Sequence, residues 1–424
     1  MKAKILYVWS SLQSSFWFVP LQLILLSIIA ATGFVYLDNV LDFQPSGIYR
    51  YFLIGSVDSA RSILSTIAGA MIGVAGTVFS ITLVALTLAS SQFGPRLLQN
   101  FMHDRINQIV LGSYIATFTY CLLVLSSVKS TTEFLFLPRI SVTFAMFLAI
   151  VNIFLLVIFI HHISVNIQAD QVISKVNDIL NSNFSKLFPM EKEEESPSIS
   201  DEQISALIEK AKFKKVVAIK ESGYLQTVSR RRLISLARDV NGFIELKKRA
   251  GNYLVDGQDV FEVYSEKEID EDFEENIRNA LILGRKRTSS QDAEFAIRQM
   301  VEVAARALSP GVNDPYTAIT CIDMLTDSIC YLTRIELPTG QWFDEEGKLR
   351  LITKMISFDG VVGVAFNQIR QYGQNSPAVM IRLMDAMVTI FTLAKKKRHK
   401  EIVLEHANMV LMAGKEHFGE RNDF

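Results

Sequence analysis

A four-span α-helical membrane domain followed by a soluble α+β domain is the fold class that this sequence predicts, and three observations predict it. Residues 1–164 contain four uncharged apolar runs, and the whole stretch holds only eight of the chain's 43 Lys and Arg and five of its 44 Asp and Glu. The remaining residues carry nearly all the charge and switch between strand and helix periods. The third observation is the longest run, Ser62–Pro95, bordered by the charges Arg61 and Arg96. As a helix it extends roughly 50 Å against about 30 Å of hydrocarbon, so it must tilt, kink or project beyond the bilayer.

The transmembrane domain is expected to fill residues 1–164. Lys2 and Lys4 precede the apolar run Ile5–Leu37 in the manner of a secretory signal. That run is too long for a signal and has no small-residue cleavage site before Asp38, so residues 16–37 are read as an uncleaved first span. Residues 62–91, 106–128 and 140–160 make the other three, the last ending in His161 and His162 at the interface. Four spans put both termini on one side. Lys and Arg in the short loops tie, with Lys2, Lys4, Arg96 and Arg105 facing Arg50, Arg61, Lys129 and Arg139. The crowding of Lys2 and Lys4 against the first span, and the acidic Asp38, Asp42, Asp58 and Glu133 opposite, place the termini in the cytoplasm. Cys121, Cys321 and Cys330 form no metal spacing and no disulfide framework, consistent with a reducing compartment for the soluble half.

The second span carries the strongest pattern. Ser62, Thr66, Gly69, Gly73, Gly76, Ser80, Thr87 and Ser91 follow steps of three and four with one turn skipped, laying small side chains along one seam. Ile67, Val74, Val78, Ile81 and Leu88 occupy the other side. Lipid gains nothing from Gly and Ser, so the seam is expected either to pack against a helix at close range, within the chain or in an oligomer, or to line a wet path. The predicted spans contain no Asp, Glu, Lys or Arg, which argues against ion-coupled active transport and leaves a passive pore open. In a homo-oligomer centred on this helix, Arg61 and Arg96 repeat as positive rings at the pore mouths and bias it towards anions; alternatively they anchor the span at the headgroups.

The soluble half is read as a helical extension over 165–188, an acidic linker over 189–202, a small β-rich subdomain over 203–265 and a helical subdomain over 266–424. Lys214–Ile219, Gly223–Val228, Gly242–Lys248 and Val260–Val263 read as strands, with a helix starting near Ser229 among them, and a small β-barrel is expected. Gly251–Val263 resembles one strand–turn–strand of the barrel-sandwich hybrid folds of biotinyl and lipoyl carriers, without their modified lysine. Helices are then expected opening at the acidic residues Glu266 to Glu275, from Ser289 to Leu308 with an N-cap among Thr288–Ser290, from Pro315 to Arg334, and from near Asp359, Ser376 and Arg398. Gly347–Met355 lies between them.

Arg306, Ser309, Asn313 and Asp314, beside the basic run Arg285-Lys286-Arg287, have the chemistry of an anion pocket at a helix N-terminus. Helix capping by Asp314 with Pro315 at the first helical position accounts for the same residues. His399, His406 and His417 fall near one helical face without metal-ligand spacing and are expected in solvent. No phosphate loop, zinc-protease motif or nucleophile elbow occurs, so neither an enzyme nor a cofactor is expected. A net charge of −1 without basic, aromatic-interleaved patches gives no sign of nucleic acid.

Ser309 to Pro315, together with Gly94-Pro95-Arg96 after Ser90-Ser91-Gln92-Phe93, resembles the signature of a widespread family of bacterial predicted four-span membrane proteins carrying Ser-Pro-Gly-(Val/Ile)-Asn-Asp-Pro. The resemblance covers essentially the whole chain. It implies a multi-pass inner-membrane protein with a cytoplasmic domain and brings no catalytic residue. The expectation is a homo-oligomeric passive ion channel or pore with the second span at its centre, whose partners are the lipid bilayer, further copies of itself and inorganic ions. The alternative is a membrane-anchored binding or scaffold protein without conduction.

Overall fold

In the computed structural model, residues 16–41, 56–94, 104–130, 135–166, 168–188 and 198–417 are described. Among them, four helices are long and apolar enough to cross a membrane: α1 (Phe18–Leu41), α2 (Val57–Phe93), α3 (Arg105–Ser127) and α4 (Arg139–Asn166). Each matches a predicted run. The ends of α2 are set locally, since the Ser56 side chain accepts from Ser59 N at 3.2 Å and Gly94, at a positive φ of 102° that favours glycine, donates its N–H to Ser90 O as the helix ends. Its 37 residues correspond to roughly 55 Å.

The centre of this unit is α3, not α2. Half of its most apolar stretch is buried against the other three helices, compared with 17–22% for theirs. Tyr114 and Tyr120 are fully buried, and Tyr120 meets the Phe144 ring edge-on at 5.5 Å. Each phenol donates to a carbonyl of α4: Tyr114 to Asn152 O at 2.7 Å, Tyr120 to Ser141 O at 3.0 Å. Asn152, wholly buried, donates across to Thr117 Oγ1 at 2.8 Å. Such bonds join helices where the hydrophobic effect gives no drive. The short pair β1 (Lys129–Ser130) and β2 (Leu135–Phe136) joins α3 to α4.

The chain divides into two compact units, Met1–Gln171 and Val172–Phe424. The expected helical extension is two helices, because α4 ends at Asn166 and α5 (Ala169–Leu187) begins anew. Most of the acidic linker lies outside the described residues. α6 (Asp201–Lys210) then starts with a complete capping box from Ser200 and Gln203.

Strands β3 (Phe213–Ala218), β4 (Gly223–Val228), β5 (Phe243–Leu246), β6 (Tyr253–Leu254) and β7 (Asp259–Ser265) follow, with α7 (Arg230–Asp239) after β4. They are joined by α8 (Glu271–Arg278), β8 (Leu281–Gly284), and later β9 (Gln341–Phe343) and β10 (Leu349–Thr353). The predicted strands are present, but among the described residues they form two sheets and no closed barrel: β3-β7-β5-β10-β9 and β6-β4-β8. The turn at Gly257 is not a carrier-type hairpin either, since β6 pairs with β4 whereas β7 pairs with β3 and β5. β10 runs parallel to β5, so the larger sheet takes strands from both sides of residue 266. Leu225, Leu233, Ile244, Phe261, Ile277 and Leu351 fill the core between sheets and helices, while Ile204 and Ile208 of α6 pack with Phe243 and Tyr264.

The C-terminal bundle contains α9 (Ala293–Ala307), α10 (Pro315–Thr333), α11 (Phe358–Gly373), α12 (Pro377–Leu393) and α13 (Lys397–His417). α9 is capped by Asp292, whose carboxylate accepts from Glu294 N, rather than by Thr288–Ser290. Two histidines expected in solvent are buried: His399 stacks on Phe358 at 4.0 Å, and His406 lies 3.8 Å from Asp359. Seven residues apart, they share the inward stripe with Ile402, Val403 and Val410. His417 is exposed, and α13 runs through Gly414 without a break.

Burial lowers both the His399 and His406 pKa values, aided by Lys396 at the first and outweighing Asp359 at the second. The folded state therefore binds fewer protons than the unfolded chain, and stability is full above the unfolded value of about 6.5 and falls as pH drops below it. Unfolding followed by Trp342 fluorescence is expected to show this loss between about pH 7 and pH 5.5, and a shallower loss in His406→Gln. Equal pH slopes in the two proteins would contradict the assignment.

Candidate functional site

The two faces of α2 differ. Towards its own bundle it presents Ala60, Leu64, Ala68, Met71, Ala75, Val78, Ala85 and Ala89, all buried. Ser62, Thr66, Gly69, Gly73, Gly76, Ser80, Thr87 and Ser91 are all exposed. Thr66 and Gly73 each stand two residues after a buried one, Leu64 and Met71, or about 200° around the helix. A Cβ placed on Gly69, Gly73 or Gly76 meets nothing within 4 Å. The seam is therefore not a packing surface within the described chain. The close approach inside the bundle uses Gly112 of α3, where a Cβ would stand 2.8 Å from Pro20 Cα and 2.9 Å from Leu23 Cδ1 of α1.

At one end of α2, Arg61 is exposed and donates to Val128 O at 3.4 Å, tying the start of α2 to the end of α3. Arg96 lies outside the described residues. Along the seam, Thr87 donates to Leu83 O at 2.9 Å and Ser91 to Leu88 O at 2.8 Å. Both hydroxyl protons are thus satisfied by the helix's own carbonyls.

Two carboxylates that sequence reasoning passed over organise the helix ends. Asp38, in the last turn of α1, accepts from Ile140 N at 2.8 Å, Ser141 N at 2.9 Å and Ser141 Oγ at 2.6 Å, and so caps α4 from a different helix. Asp104 caps α3, accepting from Ile106 N at 3.0 Å, and its other oxygen meets His162 Nε2 of α4 at 2.6 Å. Asn166, one turn after His162, turns its amide nitrogen to the same ring. The four-residue spacing of His162 and Asn166 was visible in the sequence; their carboxylate partner, 58 residues away, was not.

In the soluble unit, the Ser309–Pro315 stretch is a tight helix-to-helix turn. Asp314 N donates to Ala307 O at 2.8 Å, Asn313 adopts a left-handed φ of 49°, and the Asp314 carboxylate accepts from Thr317 N at 3.1 Å and Thr317 Oγ1 at 2.6 Å. Ser309 Oγ donates to Arg306 O at 2.7 Å. The four motif residues are brought together, but the basic run is not with them. Arg287 pairs with Asp292 at 2.5 Å before the start of α9, and Arg306 ends that 15-residue helix, roughly 20 Å away. Burial pushes the Asp292 carboxyl up against the pull of Arg287, whereas at Glu294 the Arg249 and Arg298 guanidiniums overcome burial and hold the carboxyl below its usual value. The pair of Glu294 with Arg249 ties the start of α9 to the connection between β5 and β6, while its 3.1 Å pair with Arg298 lies within α9. Capping accounts for the geometry of the turn, so Asp314→Ala is expected to cost about 1 kcal/mol in denaturant unfolding. An unchanged midpoint would remove the cap from the account.

Comparison with known proteins places these features in one family. The predicted membrane protein family DUF2254 matches residues 13–389. The chain belongs to this family. The DUF2254 match takes in all four spans, both sheets and the Ser309–Pro315 turn, and ends within α12. Similar relatives include the uncharacterized proteins Rv1290c of Mycobacterium tuberculosis and Mb1321c of Mycobacterium bovis. Each is 31% identical over 374 residues, covering 87% of this chain and 71% of the relative. No solved structure matches.

Proposed function

We propose that this DUF2254 protein self-associates in the bacterial inner membrane through the outward face of α2, and that the assembled faces form a passive path for inorganic ions. Its soluble unit and both termini then lie in the cytoplasm, and the role is non-catalytic. One observation carries the reading: a row of Gly, Ser and Thr, interrupted for one turn between Ser80 and Thr87, faces away from the chain's own bundle, where lipid gives it no favourable contact. A reporter fused after Phe424 is expected to be active as a cytoplasmic fusion, and periplasmic activity would reverse the topology.

Purified protein in planar bilayers under a salt gradient tests conduction. The expected result is a passive conductance whose reversal potential lies on the anion side, from Arg61 repeated around the assembly. A cation-side potential would remove the ring from the account. Absence of conductance across voltage, tension and pH would leave the second reading, a membrane-anchored scaffold. That reading is favoured by one observation, the seam hydroxyls bonded back to their own helix at Thr87 and Ser91, as in a dry packed contact.

A further inference from the structure

Where α2, α3 and α4 converge near the end of α4, they leave a partly open cavity of about 20 Å3 whose lining includes Thr82, Leu86, Asp104, Asn107, Ile163 and Asn166. This is the size of one water molecule or one desolvated small ion. Its polar lining is biased towards acceptors. Thr82 commits its hydroxyl proton to Val78 O at 2.8 Å, and Asn166 commits its amide nitrogen to the His162 ring. The Asp104 carboxylate takes one hydrogen bond on each oxygen, from Ile106 N and from His162, and retains lone-pair capacity on both. Asn107 is only 6% exposed, and its side-chain oxygen has no hydrogen-bond partner among the described residues. A buried amide oxygen left so in a membrane-embedded bundle costs free energy unless something occupies the space beside it.

We propose that this cavity binds a small monovalent cation of the sodium class, held by the Asp104 carboxylate, the Asn107 amide oxygen and the Thr82 hydroxyl oxygen. Three features select that class. The ligands are hard oxygens, which suit alkali and alkaline-earth ions rather than transition metals. Only one carboxylate is present, so with the His162 imidazole beside it neutral a single positive charge balances the site, and no three His, Cys, Asp or Glu converge on a metal position among the described residues. The Thr82, His162 and Asn166 donors at the site are already committed, which disfavours an anion. Bound there, the ion ties the second half of α2 to the start of α3, whose Asp104 is joined to His162 of α4. The site is independent of the outward seam, so its fate does not decide conduction.

Thermal unfolding of the full-length protein in detergent, with NaCl or N-methylglucamine chloride at equal ionic strength, tests this. Sodium is expected to raise the midpoint by about 2–4 °C once it exceeds its dissociation constant several-fold, whereas N-methylglucamine, too large for the cavity, is expected to leave it unchanged. Thr82→Val, which keeps the shape and removes the hydroxyl, is expected to lose most of the increment. Asn107→Leu is expected to abolish it. Equal midpoints in the two salts for the wild type mean that the cavity holds water only and overturn the proposal, as does a sodium increment that survives Thr82→Val in full. Should Asn107→Leu fail to fold, the wild-type salt comparison and Thr82→Val still decide.

Discussion

Gly112→Leu is expected to destabilise the membrane unit by about 3 kcal/mol or more, because it forces a branched side chain into a close helix contact that has no room for a Cβ. Even the first carbon of the new side chain would stand 2.8 Å from Pro20 Cα, a backbone atom that moves only if α1 moves with it. The remaining carbons have nowhere to go but between α1 and α3, whose contact is the most extensive in the unit. Loss of helical signal at lower denaturant, with α1 protease-accessible in detergent, is the expected readout. Gly73→Leu is the matched control, since nothing lies within 4 Å of a Cβ there. The chain itself should fold as before, so that any effect of Gly73→Leu belongs to contacts between copies. Equal stability of Gly112→Leu and wild type would show that α1 does not dock as described.

Asp38→Ala is the second large effect, expected at about 2–3 kcal/mol from the loss of three charge-assisted hydrogen bonds at a helix start within a low-dielectric unit. The carboxylate sits unfavourably at the C-terminal end of its own helix, where the dipole costs about 0.3–1 kcal/mol. That cost is smaller than the gain at α4, where Asp38 satisfies Ile140 N and Ser141 N, which would otherwise lack an acceptor from their own helix. Asp38→Asn keeps one acceptor oxygen and is expected to lose about half as much in the same unfolding measurement. If alanine and asparagine cost nothing, water replaces the cap and α4 does not depend on α1.

Much of this fold was legible in the sequence, for reasons that also explain what was not. A 37-residue helix without internal charge beyond its first turns is legible as a span, because hydrocarbon excludes charge irrespective of partners. Strands β3, β4, β5 and β7 were legible from alternation and Gly turns, but their closure was not: β10 joins β5 from more than 100 residues away, and no local period reports that. On α2 the difficulty is different. The stripe Ala60, Leu64, Ala68, Met71, Ala75 and Val78 follows the same three-and-four steps as Ser62, Thr66, Gly69, Gly73, Gly76 and Ser80. Both stripes are rich in small residues, so period alone cannot say which faces inward. The large rings of α3 decide it: Tyr114 and Tyr120 need apolar neighbours with methyl groups to fill space, and alanine and leucine provide them where glycine cannot. His399 and His406 were misplaced because histidine is usually exposed, although their seven-residue spacing with Ile402 and Val410 already set them on the buried stripe.

The self-association proposed above requires the outward face of α2 to meet its counterpart in another copy. Single cysteines at Gly73 and, as a lipid-facing control, at Phe154 of α4, which is 66% exposed, test it directly by oxidative cross-linking in native membranes. The three natural thiols, Cys121, Cys321 and Cys330, are buried and are replaced beforehand by alanine. A disulfide-linked dimer from Gly73→Cys, with none from Phe154→Cys, is the result this account predicts. Monomer from both, or cross-linking at Phe154 alone, would contradict it.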